Sequence, residues 1–270
     1  LKDLSLGGPN GDIQLNGSLV SQKIAKFDIH ISDFNSLGWF ETLVTDRLGF
    51  SGLNARVNVI GAMQAPSITI TGDLAQLNSS IDQLSLSGRF DLSYNNKGIT
   101  IRQFQWQGGP GQQIRLVGTI PVNLLEKPLL RPGSISIDAK VSIPDLTAFN
   151  WIIPNYIPMD GDLQGTLQVT GSWATPTGSF VIKSRGLNDP AHMKSIPPGP
   201  LDLDGNIRLD GKNLLVKTIQ INSPKLTFAG RGEWTGMPAL SELFQGKSAK
   251  PTGNVDLKGN LSMDDLSWLA

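Results

Sequence analysis

The feature that most constrains this chain is an alternation of apolar and polar residues, repeated in about thirteen short segments along its 270 residues. In residues 53–59, Leu53, Ala55, Val57 and Val59 alternate with Asn54, Arg56 and Asn58. Residues 84–92 set Leu84, Leu86, Phe90 and Leu92 against Ser85, Ser87, Arg89 and Asp91. Residues 134–143 set Ile135, Ile137, Ala139, Val141 and Ile143 against Ser134, Ser136, Asp138, Lys140 and Ser142, and residues 201–209 repeat the theme with Leu201, Leu203, Ile207 and Leu209. Successive side chains of a strand point to opposite faces, so each segment reads as a strand with one apolar face. The 30 Gly and 17 Pro supply the many turns that many short strands require.

The segments recur in order. GGPNGDIQLNGSL (7–19) returns as GGPGQQIRLVGTI (108–120) and, more weakly, as SPKLTFAGRGEW (223–234). A fixed recurrence marks one structural unit stacked on itself. The period, about 110 residues, divides the chain into the end of one repeat (1–20), a first unit (21–132), a second unit (133–252) and the start of a third (253–270). A chain that begins and stops inside a repeat reads as a piece of something longer. Each unit is predicted to run strand, short helix, then five strands. Phe34, Leu37, Phe40, Val44 and Leu48 form a helical stripe behind Asp33 as cap, with Gly49 as its end, and a shorter helix follows Asp145 and stops before Pro154. GLNARVNVIGAMQAPSITITGDL (52–74) parallels GTLQVTGSWATPTGSFVIKSRGL (165–187). The apolar phase slips by one residue between Ile101 and Phe104, and again between Val216 and Ile219, which predicts a β-bulge at both places. Residues 184–200, with four prolines, read as a loop, and 123–132 and 235–252 as irregular connections.

Chemistry is harder to find. The 23 basic and 23 acidic residues cancel, leaving no excess with which to hold a nucleic-acid backbone. There is no cysteine, hence no disulfide, thiolate metal site or cysteine nucleophile. Of two histidines, His30 falls on the polar side of a strand and His192 in the proline-rich segment, neither spaced for a metal. The carboxylates are scattered along polar faces. The GGP turns lack the lysine and helix of a phosphate cradle, and read as hairpin turns in which Gly supplies positive φ. Trp39, Trp106, Trp151, Trp173, Trp234 and Trp268 follow the repeat, as core residues do. No apolar run approaches the roughly 18 residues of a membrane helix. The expectation is therefore a non-enzymatic protein with no cofactor, no metal and no nucleic-acid partner.

A long series of one-faced strands must put something against its apolar face. It can pair as a sandwich, close as a barrel, or curl into a trough whose lining faces an open lumen. A membrane barrel would carry aromatic girdles at both rims, whereas the aromatics here follow the repeat. The expected fold class is all-β: an elongated, curved antiparallel sheet, an open trough built from the repeats, with short helices between some strands. Its lining, in the first unit, would be Leu53, Val57, Val59, Ile68, Ile70, Leu84, Leu86, Phe90, Leu92, Ile114, Leu116 and Ile120. The second unit would contribute Ile135, Ile137, Val141, Leu163, Leu167, Val169, Phe180, Ile182, Leu201, Leu203, Ile207, Leu209, Leu226 and Phe228, and the third Val255 and Leu257.

The block GDLQGTLQVTGSWATP (161–176), with IPDLTAFNWIIPNYIP (143–158) before it and MDDLSWLA (263–270) at the end, resembles the TamB (translocation and assembly module) group of the AsmA-like envelope lipid-transfer family. The likeness covers essentially the whole chain and rests on pattern and turn positions rather than on a catalytic string. It implies a "β-taco" trough in the periplasm of a diderm bacterium, anchored to the inner membrane by a segment outside this sequence. It also implies phospholipid acyl chains as cargo between inner and outer membranes, and a BamA-type outer-membrane partner docking elsewhere on the protein. Two further readings are a chaperone or scaffold for outer-membrane barrel insertion, and a structural repeat of an adhesin passenger.

Overall fold

The structure, a computed structural model, describes residues 4–8, 11–21, 24–35, 48–62, 64–79, 86–124, 130–149, 160–188, 200–237 and 253–263. They belong to two units, Leu1–Gly133 and Ser134–Ala270. The first unit contains β1 (Leu4–Gly8), β2 (Gly11–Ser21), β3 (Ile24–Phe34), β4 (Leu48–Ala62), β5 (Ala65–Ser79), β6 (Leu86–Asn95), β7 (Gly98–Gln107) and β8 (Gln113–Ile120). The second contains β9 (Ser134–Ile143), a 3-10 turn (Leu146–Phe149), β10 (Asp160–Ser172), β11 (Pro176–Asn188), β12 (Leu201–Asp210), β13 (Asn213–Asn222), β14 (Leu226–Thr235) and β15 (Asn254–Met263). Within each unit every strand pairs antiparallel with its neighbours in sequence. The fold is all-β, with fifteen strands among the described residues where the alternation alone counted about thirteen.

The repeat reappears as register. The GGP turns join β1 to β2 and β7 to β8, and the third copy joins β13 to β14, where the Ser223 hydroxyl accepts from the Lys225 and Leu226 amides. Gly61 pairs with Pro66 and Gly171 with Pro176, one at each of the two longest hairpins. Both glycines take φ near +100° (114° and 100°), a region closed to most side chains. The two bulges lie where the apolar phase slipped, between Ile101 and Phe104 and between Val216 and Ile219. The extra residue of the first, Arg102, is turned to the polar side and donates to Asp91 and Ser93.

Three expectations need correcting. The stripe behind Asp33 does not begin or end as a helix: Phe34 closes β3 opposite Leu53, and Leu48 and Gly49 already belong to β4, while residues 36–47 between them lie outside the described residues. Asp33 sits at positive φ (48°) beside a bulge, its amide donating to Asn54, and a strand kinked in this way brings Phe34 into the apolar parity of β3. Residues 184–188 are strand rather than loop. A bulge between Ser184 and Leu187, with Gly186 at φ 65°, carries β11 on until Leu187 meets Leu201, before the prolines begin. The turn behind Asp145 forms as expected but as one 3-10 turn, with the Asp145 carboxylate accepting from the Thr147 amide and hydroxyl.

Buried apolar side chains are few. Among the described residues they are Phe34, Tyr94, Ile101, Val122 and Leu130 in the first unit and Ile135, Ile143, Leu146 and Met237 in the second. Phe34 stands apart, opposite Leu53, whereas Tyr94 lies towards the end of β6 near the bridge between Val122 and Leu130. There Tyr94 Oη donates to Asn123 and accepts from the Leu124 amide, and Arg131 donates to the Asn96 carbonyl.

Candidate functional site: an apolar face in each unit

The pairing registers align the apolar positions of successive strands into rows. In the first unit one row runs Leu15, Ile29, Val57, Ile70, Leu92, Ile101 across β2 to β7. A second runs Ile31, Ala55, Gly72, Phe90, Phe104, Leu116. Two flanking rows carry Phe27, Val59, Ile68, Tyr94, Ile99, Ile120 and Phe34, Leu53, Leu74, Gly88, Trp106, Ile114. The second unit does the same. Its rows are Ile143, Leu163, Ser184, Leu203, Ile221, Phe228, Leu261; Ala139, Leu167, Phe180, Ile207, Val216, Gly232, Leu257; and Ile137, Val169, Gly178, Leu209, Leu214, Trp234, Val255. Between them lies a row in which glycine recurs: Val141, Gly165, Ile182, Gly205, Ile219, Gly230, Gly259.

The candidate lining residues thus fall on one face in each unit, with two qualifications. Leu84 lies outside the described residues, and Leu86 is placed by backbone pairing with Leu77 while its side chain is not described. Leu201, opposite Leu187, opens the same parity of β12. Leu226 faces Met263. Most lining side chains are half-buried; Ile135 alone is enclosed, at 2% exposure. On β15 the face is bare, with Val255 62% and Leu257 71% exposed.

Strand glycines keep this face low. A Cβ on Gly72 would stand 2.7 Å from Phe90 Cζ, one on Gly88 2.7 Å from Trp106 Cδ1, and one on Gly259 2.8 Å from Phe228 Cε2. Each ring therefore lies across a neighbouring glycine instead of standing upright. Phe104 and Trp106 stack at 5.5 Å between centroids. Ser184, fully buried in an otherwise apolar row, donates its hydroxyl to the Asp162 carbonyl, so its oxygen is satisfied within the bulge.

The opposite face is polar and laced by ion pairs. Arg56 reaches Asp28 at 2.5 Å, Arg102 reaches Asp91 at 2.6 Å, and Arg185 reaches Asp204 at 2.7 Å. The Arg56 hydrogen bond holds the Asp28 carboxyl below the ordinary carboxylate range, and Arg102 does the same to Asp91. His30 is exposed here, 3.5 Å from Asp28; His192 lies outside the described residues. Of the tryptophans, Trp106 and Trp234 are on the apolar face, Trp173 is in the β10–β11 turn, and the other three are outside the described residues. Two hollows open among the polar rows. One of about 500 Å³ is lined by Asp73, Ser87, Arg89, Gln105 and Gln107, and one of about 230 Å³ by Lys217, Arg231, Glu233, Asp256 and Lys258. Among the described residues no three His, Asp or Glu side chains are grouped to hold a metal ion, and no helix is long and apolar enough to cross a membrane.

What sequence reasoning missed is the role of the glycines, whose spacing in the middle row of the second unit (165, 205, 230, 259) is irregular along the chain and becomes regular only when strands are paired. The chain matches no family model, no curated protein and no solved structure in comparisons with all three.

Proposed function

We propose that this chain is a non-enzymatic segment of a hydrophobic trough that conducts phospholipids, acyl chains first, between the inner and outer membranes of a diderm envelope. The observation that supports the reading is a single one: rows of half-exposed apolar side chains continuous across the strands of each unit, with rings laid flat over glycines. A globular protein covers such a face with its own residues; an exposed apolar patch of this extent marks an interaction surface. The resemblance to the TamB group supplies the cargo and the setting: the periplasm, a membrane anchor outside this sequence, and a BamA-type partner at the outer membrane.

The energetics suit passage rather than capture. Burying a chain methylene is worth about 0.8 kcal/mol, so a 16-carbon tail gains roughly 13 kcal/mol in a bilayer or on an equivalent apolar surface. Extracting it into water forfeits that amount; moving it onto an apolar face forfeits little. The headgroup keeps its hydration at the open side, and the protein lowers a barrier without a tight site.

Native mass spectrometry of the purified 270-residue chain tests the reading directly, with phospholipid expected to leave with the protein. Photo-crosslinkers at Val57 and Ile137 should capture lipid, and one at Ser87 on the polar side should not. Recovery of protein adducts alone from the apolar positions would overturn the trough and favour a barrel-assembly scaffold.

A further inference from the structure

Resting on the reading of the apolar face as a lipid trough, we propose that Trp106 sets which way round a phospholipid lies on the first unit. Its indole N–H holds an oxygen of the glycerol–phosphate end, and the acyl chain runs from there along the strands rather than across them. In the four apolar rows of this unit two side chains carry a polar atom, and they stand at opposite borders. Tyr94 shares a row with Ile68 and Ile99, and Trp106 shares one with Leu53 and Leu74.

The two differ in what they leave open. Tyr94 is 8% exposed, and its hydroxyl already donates to Asn123 and accepts from the Leu124 amide. Trp106 is half-buried and stacked on Phe104, and among the described residues no atom accepts from its Nε1–H. Gly88, between Leu74 and Trp106 in the row, leaves a notch where a side chain would stand. The indole edge lies over that notch, with Cδ1 and Nε1 2.7 and 2.9 Å from the place of an added Cβ. A ring with an apolar body and a single donor suits the boundary between hydrocarbon and polar groups, where the donor finds an acceptor oxygen.

The width of the face gives the direction of the chain. Along β5 it extends from Leu74 to Ile68 without a break in register, about 20 Å at roughly 3.3 Å per residue. Chains of one leaflet fill half of a hydrocarbon core about 30 Å thick, hence about 15 Å. An acyl chain that starts at the Trp106 border therefore fits along the strands and ends before the border where the Tyr94 hydroxyl is already engaged.

Nitroxide quenching of tryptophan fluorescence tests this in the full 270-residue chain loaded with spin-labelled phosphatidylcholine. The Trp106 signal is the difference between the chain and Trp106→Phe, which keeps a ring against Phe104 and loses the N–H. A nitroxide on the choline headgroup should quench that signal several-fold more strongly than one near the end of an acyl chain. Ile68→Trp in the Trp106→Phe background should show the reverse order, and Val59→Trp, opposite Ile68 in the same row, should repeat it. Trp106→Phe should also weaken phosphatidylcholine binding about fivefold, as the loss of one net hydrogen bond does. The same order at both borders, equal quenching by the two labels, or undiminished binding by Trp106→Phe would overturn the proposal and leave the trough standing. A chain that takes up neither lipid would overturn the trough reading, and the orientation with it.

Discussion

Arg56 and Arg102 stand on the polar face of the first unit and do the same work: each holds an aspartate of a neighbouring strand in its ionised form. Asp28 and Asp91 therefore titrate below their ordinary value of 3.8 in the folded chain. A carboxyl with a lowered folded pKa contributes stability in full above its unfolded value and loses it as pH falls through the folded one. The urea midpoint is expected to be insensitive to these two groups between pH 7 and 5 and to drop below about pH 4. Arg102→Gln should flatten that acid limb and cost less than about 1 kcal/mol at neutral pH, because the pair is partly exposed and screened. Ile135, 2% exposed, is the contrasting case. Ile135→Ala should cost roughly 2–4 kcal/mol by urea denaturation, far more than Val57→Ala on the half-exposed face. Parity along each strand was legible in the sequence, since a side chain's face depends on its own position alone. Which arginine meets which aspartate was not, because that depends on register between strands.

At the scale of the element, the bulges and turns govern the pattern. Gly61 and Gly171 hold corresponding corners of two hairpins at positive φ, so Gly171→Ala should cost about 1–2 kcal/mol without changing the pairing, which hydrogen exchange of the β10–β11 amides would show. Gly88→Val must displace the ring of Trp106; its near-ultraviolet dichroism should change while strand content stays constant. Two of the bulges could be read beforehand, since one extra residue inverts the alternation and leaves a visible phase slip at Ile101–Phe104 and Val216–Ile219. The helix ends could not. Apolar residues three and four apart at Phe34 and Leu48 belong to two strands flanking an intervening segment, and spacing cannot distinguish a helical stripe from strand ends that carry apolar residues of their own. Nor did the prolines of 184–200 reveal that Arg185–Gly186 carry a strand through a bulge, because Gly186 at positive φ extends the ladder a turn further than composition suggests.

At the scale of the whole molecule the question is what the apolar faces meet. If they carry acyl chains, Val57→Asp or Ile137→Asp should lower phospholipid recovered with the purified protein several-fold, and Ser87→Asp should leave it unchanged. Ser87 is a better control than Arg56 or Asp202, which hold Asp28 and the Gly186 amide. The existence of a one-faced sheet was legible because alternation repeats in nearly every segment; its occupant was not, since an apolar side chain looks the same in a filled core and on an open lining. Pairing between chain neighbours alone has a further consequence, for how the molecule is made. A hairpin finds its partner strand within a few tens of residues, so loop closure is cheap and no strand waits for the far end of the polypeptide. Such a chain can zip up one hairpin at a time, and within each unit it grows in the order in which it is synthesised.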